Sequence, residues 1–169
     1  YLVQNHDLIR TAVKMAKEAG LKVSIDLASY NVVEANLDFL LEIVEKYVDI
    51  VFANEEEARA FTSKEPEAAL DFIAGICDIA VVKVGKDGSF IKSGDEKVLV
   101  KPRLSNCIDT TGAGDLYAAG FLFGLASNYS LEACGKIGSL VSGNVVEVLG
   151  AKMTDDVWAQ IESDMHDML

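Results

Sequence analysis

Asp109-Thr110-Thr111-Gly112-Ala113-Gly114-Asp115 is the stretch on which the reading of this chain turns. It follows the mixed apolar and polar run Leu104 to Ile108 and leads straight into Leu116-Tyr117-Ala118-Ala119-Gly120-Phe121-Leu122, so small residues stand where a loop becomes a helix. The first N–H groups of a helix have no intrahelical partner and carry the positive end of the macrodipole. Such an opening stabilises phosphate or an alkoxide, and Gly112, Ala113 and Gly114 leave a ligand room to reach the N–H groups. Asp115 has two readings. It complements the dipole of the first turn, or, beside donors that neutralise a transferring phosphoryl group, it takes the proton from an attacking hydroxyl.

Outward from this stretch, helical and strand patterns alternate. Asn5 is placed to cap a helix through about Glu18, with Leu8, Ile9, Ala12, Val13 and Ala16 on its apolar face and Gly20 as its stop. Lys22 to Leu27 reads as a short strand with a carboxylate, Asp26, near its end, as in a parallel strand whose C-terminal edge faces a site. Leu37 to Tyr47 reads as a helix, Asp49 to Ala53 as a strand, and Asn54 with Glu57 as a capping-box variant that opens the next helix. Pro66 suits the first turn of a helix through Gly75, and Ile79 to Val84 is a buried strand followed by an Asp87-Gly88 turn. Ser89 to Lys92 and Lys97 to Lys101 form a hairpin around Ser93 to Glu96. Past the central helix, which stops near Ser127-Asn128, Ser130 caps a helix reaching about Leu149; Thr154 caps a last one with Val157, Trp158, Ile161 and Met165 inward. Gly135, Gly138, Ser139, Ser142 and Gly143 on the Ser130 helix admit either another backbone or a flat ligand such as adenine. The expected fold class is therefore α/β, a mostly parallel sheet with helices on both faces.

Composition narrows the functions. With 169 residues the chain has room for one core. Half the residues are hydrophobic and only 2 are Pro, which excludes a disordered chain, while no apolar run approaches a membrane span. The formal net charge of −12 argues against nucleic acid, whose phosphates require a basic footprint. Cys77, Cys107 and Cys134 lack metal-ligand spacing and read as buried thiols in a reducing compartment. Tyr1-Leu2-Val3 is too short an apolar run for a leader, so cytoplasm is the expected location. His6 and His166 receive no role.

Asp109 to Asp115 followed by Leu116-Tyr117-Ala118-Ala119-Gly120-Phe121-Leu122 resembles the C-terminal signature of the ribokinase-like, phosphofructokinase-B-type carbohydrate and nucleoside kinases. The resemblance makes Asp115 the catalytic base and Gly112, Ala113 and Gly114 the anion hole. It implies ATP and Mg²⁺, with Asn54 and Glu57 on the metal side, Lys83 and Gly85 against the nucleotide, and Ser139 beside the adenine. It also implies a monovalent cation, K⁺, behind the anion hole, surrounded by Asp109, Thr111, Gly150, Thr154 and carbonyls of Val145 and Val148.

The likeness covers residues 1–169 as the C-terminal, nucleotide-binding part of a ribokinase-like domain, so the fold is expected to be incomplete. The early glycine pair and acceptor-binding aspartate of the family have no counterpart, and a strand-end Asn of many relatives is replaced by Ala28. The chain is accordingly expected to bind adenine nucleotide weakly, to be inactive alone, and to leave a sheet edge that invites self-association, a homodimer included. Asp26 to Asn31 and Glu147 to Met153 look more like the bacterial adenosine-kinase-like sugar-kinase branch than like ribokinase. The implied activity is ATP-dependent phosphoryl transfer to a hydroxyl of a small-molecule sugar or nucleoside. The alternatives are an acceptor such as ribose or fructose in place of adenosine, or a nucleotide-binding regulatory module without turnover.

Overall fold

Ile50-Val51-Phe52-Ala53 is buried at every position, the largest relative exposure being 2%. Successive strand side chains point to opposite faces, so an unbroken buried run means that both faces of the strand are covered. Ile79 to Val82 shows the same pattern. These are the centres of β2 (Ile50–Asn54) and β3 (Ile79–Lys83) in a computed structural model that describes residues 2–168. Tyr1, on which part of the leader argument rests, lies outside the described residues.

β1 (Ser24–Asp26) pairs parallel to β2, with Asp26 opposite Phe52, and β2 pairs parallel to β3, with Asn54 opposite Lys83. The hairpin strands β4 (Ser89–Ser93) and β5 (Glu96–Val100) complete a sheet ordered β1-β2-β3-β4-β5. The chain divides into two compact units, one running through Val84 and including Phe90–Lys97, the other made of Gly85–Ser89 and Val98 onward.

In the first unit, α1 (His6–Glu18) begins as expected, Asn5 Oδ1 accepting from the Leu8 N–H at 3.0 Å. It ends at Gly20, whose φ of 73° lets the Leu21 N–H turn back to the Ala16 carbonyl. Helix α1 leads into β1, which is joined through α2 (Tyr30–Ala35) and α3 (Leu37–Tyr47) to β2, and then through α4 (Glu55–Thr62) and α5 (Pro66–Ile73) to β3. Val33, Ile43, Val44, Ala58, Leu70 and Ile73 from these helices enclose Val51, Ala53, Ala80 and Val82. Helix α2 is absent from the sequence reading. It follows Ala28, which sits at φ 63° and donates its N–H to Asp26 Oδ1 at 2.9 Å, a local turn that re-aims the chain.

In the second unit, α6 (Ala113–Ala126) and α7 (Leu131–Val145) pack through glycine. A Cβ on Gly120 would stand 2.9 Å from the Ile137 carbonyl oxygen, and one on Gly138 2.8 Å from that of Tyr117. These glycines serve backbone approach. Gly143 makes room for Arg103 in the same way, its added Cβ falling 2.8 Å from the Arg103 Cβ. At Gly88, φ is 100° and a Cβ would meet the Val100 oxygen at 2.0 Å, so the turn before β4 accepts only glycine.

Three details differ from the sequence reading. Helix α7 stops at Val145 rather than near Leu149 because the Val146 carbonyl accepts from the Ile108 and Asp109 N–H groups, while the Gly150 N–H, its partner in a continuing helix, donates to Asp109 instead. Trp158 of α8 (Asp155–Met168) is 40% exposed: Val157, Ile161, Met165 and Met168 form the inward stripe, and Trp158 stands one helical step off it. Cys107 is exposed and Cys77 half-buried, so of the three thiols only Cys134 is in the core.

Candidate functional site

Parallel pairing brings the C-terminal ends of β1, β2 and β3 side by side, which is where open α/β sheets present ligand-binding groups. Asp26 ends β1, Asn54 ends β2 and Lys83 ends β3. Lys83 Nζ donates to Asp26 Oδ2 at 2.8 Å, reaching across the end of the strand between them. Fifty-seven residues separate the pair in sequence, and no local pattern announces it.

Asn54 and Glu57 form the expected capping box. The Glu57 N–H donates to Asn54 Oδ1 at 2.9 Å, and the Asn54 N–H to Glu57 Oε2 at 2.8 Å. Asn54 Nδ2 adds a third bond to Glu57 Oε1, also 2.8 Å. Glu57 is only 4% exposed, and burial pushes its carboxyl above the ordinary range, opposed by the Asn54 backbone bond; the charge of Asp26 adds to the rise and that of Lys83 opposes it.

The loop before α6 belongs to the other unit. Gly112 caps the helix in the left-handed region, φ 79°, with its Cα turned so that an added Cβ would lie 2.7 Å from Ala151 Cβ. Ala113 donates back to the Thr110 carbonyl at 3.1 Å, and Leu116 to that of Gly112 at 2.9 Å. Gly114 and Asp115 occupy the first turn, where N–H groups face outward from the helix start, and Asp115 is exposed.

Asp109 anchors this loop. Its Oδ1 accepts from the Thr111 N–H at 2.9 Å and the Thr111 hydroxyl at 2.7 Å, and its Oδ2 from the Gly150 N–H at 2.8 Å. Thr111 and Gly150 together hold the Asp109 carboxyl below the usual range, the Thr111 hydroxyl contributing most. Of the other residues expected around a cation, Val145 is buried and its carbonyl accepts from Val148, whereas Thr154 offers its carbonyl to the Trp158 N–H at the start of α8.

Ser139 is occupied structurally: its hydroxyl accepts from the Arg103 N–H at 2.8 Å and reaches the Lys101 carbonyl at 3.4 Å. Gly85, at φ 53°, opens a short turn whose Gly88 N–H returns to the Gly85 carbonyl. Arg103 carries no motif that singles it out in the sequence. Its Nη1 donates to the Gly143 carbonyl at 3.2 Å and to Glu147 Oε2 at 3.3 Å, so it ties the segment ahead of the Gly112 loop to the end of α7. Among the described residues no three His, Cys, Asp or Glu side chains cluster to hold a metal, and no helix is long and apolar enough to cross a membrane.

A family model described as pfkB family carbohydrate kinase matches residues 3–157, nearly all of the elements above. The chain belongs to the PfkB family. Among its curated relatives, a nucleoside kinase of Methanocaldococcus jannaschii is 33% identical over 125 residues, 73% of this chain and 41% of that protein. An uncharacterized sugar kinase of Archaeoglobus fulgidus is 37% identical over 114 residues, 66% of this chain and 45% of the relative. In structure, the adenosine kinase of Sinorhizobium meliloti superposes with a TM-score of 0.87 at 38% identity, covering 94% of this chain and 49% of the other. A probable sugar kinase of Rhizobium etli CFN 42 gives 0.85 at 36% identity, with 93% and 49% covered. This PfkB chain thus spans about half the length of the relatives it matches.

Proposed function

We propose that this PfkB chain carries the donor-side machinery of an ATP-dependent kinase that phosphorylates a hydroxyl of a sugar or nucleoside. The observation that carries the reading is the start of α6: a left-handed Gly112, two small residues and an exposed Asp115 within one turn. Outward-facing N–H groups stabilise charge on a transferring phosphoryl group, and Asp115 is the base that removes the proton of the attacking hydroxyl. Gly112 is required because a side chain there would strike Ala151 and strain the turn.

Magnesium, when bound with ATP, neutralises charge on the terminal phosphates. Glu57 fits an outer position toward it. Each of its oxygens accepts one N–H and keeps a lone pair for a metal-bound water. Asp109 fits the neighbourhood of a monovalent cation in the same sense, with three donors on its two oxygens and acceptor capacity left on Oδ2. Its role is to hold Thr111 and Gly150, and hence the loop, in place.

Adenosine is the first acceptor to assay, since the adenosine kinase of Sinorhizobium meliloti is among the most similar structures. The test of the reading is Asp115→Asn in a protein that contains this chain and turns over. Loss of the base is expected to lower kcat by about 10²–10⁴ while leaving the affinity for a nonhydrolysable ATP analogue within a few-fold. Turnover within threefold of the parent removes Asp115 from the chemistry.

A further inference from the structure

Helix α6 is apolar on every side except at Asp115, its one charged residue. Hydrophobic burial is non-directional, so such a helix needs directional contacts to fix its rotation about its own axis. Ahead of the first turn, Asp109 holds the loop through Thr111 and Gly150. Behind it, the Tyr117 hydroxyl lies 2.6 Å from Ser89 Oγ, one donating to the other. Both residues are buried, Tyr117 at 5% exposure and Ser89 at 1%. Tyr117 stands two residues after Asp115, about 200° around the helix, so the buried phenol lies on the side opposite the exposed carboxylate.

Both partners of this bond are closely seated. The phenol ring lies on α7 where Gly138 leaves room: an added Cβ there would stand 3.2 Å from Tyr117 Cε1 and Cζ. Ser89 opens β4 directly after Gly88, which packs so close to Val100 that an added Cβ would meet the Val100 oxygen at 2.0 Å. Burial pushes the phenol up to about 12, so it stays neutral and keeps its proton for the bond. A phenylalanine and an alanine would fill the same space with no polar atom to satisfy, so the pair adds direction rather than burial. We propose that Tyr117 is a positioning residue: its bond to Ser89 fixes the rotation of α6 and so aims Asp115 and the first-turn N–H groups at the transferring phosphoryl group. The inference rests on the donor-side reading above. A hydroxyl pair that contributes to stability alone is the competing account.

The two accounts separate in a double variant. Tyr117→Phe and Ser89→Ala each leave one buried hydroxyl without its partner and are expected to lower Tm by about 3–8 °C. Tyr117→Phe combined with Ser89→Ala leaves none, so most of that loss is recovered, yet the tether is still missing. In a protein that contains this chain and turns over, kcat is expected to fall about fivefold to fiftyfold in both single variants and to stay as low in the double variant. KM for ATP stays within threefold of the parent throughout, because the misaimed groups act in the transition state. A kcat that returns to within twofold of the parent as Tm recovers, or single variants with lowered Tm and kcat within twofold, leaves the pair a stabilising contact and overturns the inference. A rise in KM at unchanged kcat overturns it as well. Asp115→Asn in the same assay tests the donor-side reading separately: turnover within threefold of the parent there overturns that reading, and the inference with it.

Discussion

Asp109 and Gly150 are joined across 41 residues by a single bond, the Gly150 N–H donating to Asp109 Oδ2 at 2.8 Å. The bond closes the loop before α6 onto the turn after α7, and together with the Ile108 and Asp109 N–H groups on the Val146 carbonyl it accompanies the end of that helix. Because Thr111 and Gly150 favour the ionised carboxylate, the Asp109 pKa is lower in the folded chain than in the unfolded one. Its contribution is fully present above the unfolded value, roughly pH 3.9, and disappears as pH falls through the lower folded value. The amide shifts of Thr111 and Gly150 in NMR are expected to titrate together with a midpoint below that unfolded value, and Asp109→Ala to abolish the transition. A midpoint at or above it contradicts the assigned bonds.

Gly112 and Gly150 both have positive φ, 79° and 76°, yet they differ in surroundings. A Cβ on Gly112 meets Ala151 Cβ at 2.7 Å, while one on Gly150 meets nothing within 4 Å. Gly150→Ala is expected to cost about 1 kcal/mol, the conformational term alone. Gly112→Ala adds a steric clash and is expected to cost about 2–3 kcal/mol. Urea midpoints at constant m-value check the ranking, and equal costs would show that Ala151 gives way freely.

Gly120 faces the backbone of α7, with the Ile137 oxygen at 2.9 Å and Gly138 Cα at 3.0 Å from a built Cβ. Gly120→Ala gains helix propensity but forces the helices apart. The net expectation is destabilisation by about 1–3 kcal/mol, read by thermal denaturation. A stabilised variant would mean that α6 and α7 slide without penalty.

A monovalent cation near Asp109 predicts that the ATP analogue binds more tightly, and that a turning-over parent runs faster, in potassium than in tetramethylammonium at equal ionic strength. Both are measurable by calorimetry and a coupled ADP assay. Identical values in the two salts exclude the cation from this loop.

The features legible in the amino-acid sequence share one property: their causes lie within a few residues. Asn54 and Glu57 are three apart, and the capping box that their spacing implies is formed. Apolar runs with no polar alternation, Ile50 to Ala53 and Ile79 to Val82, mark strands buried on both faces, and the spacing between them leaves only helical crossovers. The start of α6 is legible because Gly112 stands just ahead of it, a residue that takes the left-handed conformation the entry requires. Helix α2 escapes such a reading since its entry depends on Ala28 at positive φ, a conformation an alanine does not advertise, held by Asp26. Trp158 is assigned inward by the sequence and lies outward in the fold, because an apolar stripe one residue wide of the true one is invisible without the partner helix.

By itself, then, the amino-acid sequence determined most of the elements and their alternation, all set by local sterics, hydrophobic period and capping. Only the tertiary structure decided which distant side chains share a site. Parallel pairing of β1, β2 and β3 delivers Lys83 to Asp26, a partner that no local pattern names. Ser139 is brought to the chain at Arg103, and Gly138 is pressed against the backbone of Tyr117. Such outcomes depend on strand register and interhelical distance, which are fixed by the packing of the whole core and have no signature in any one segment.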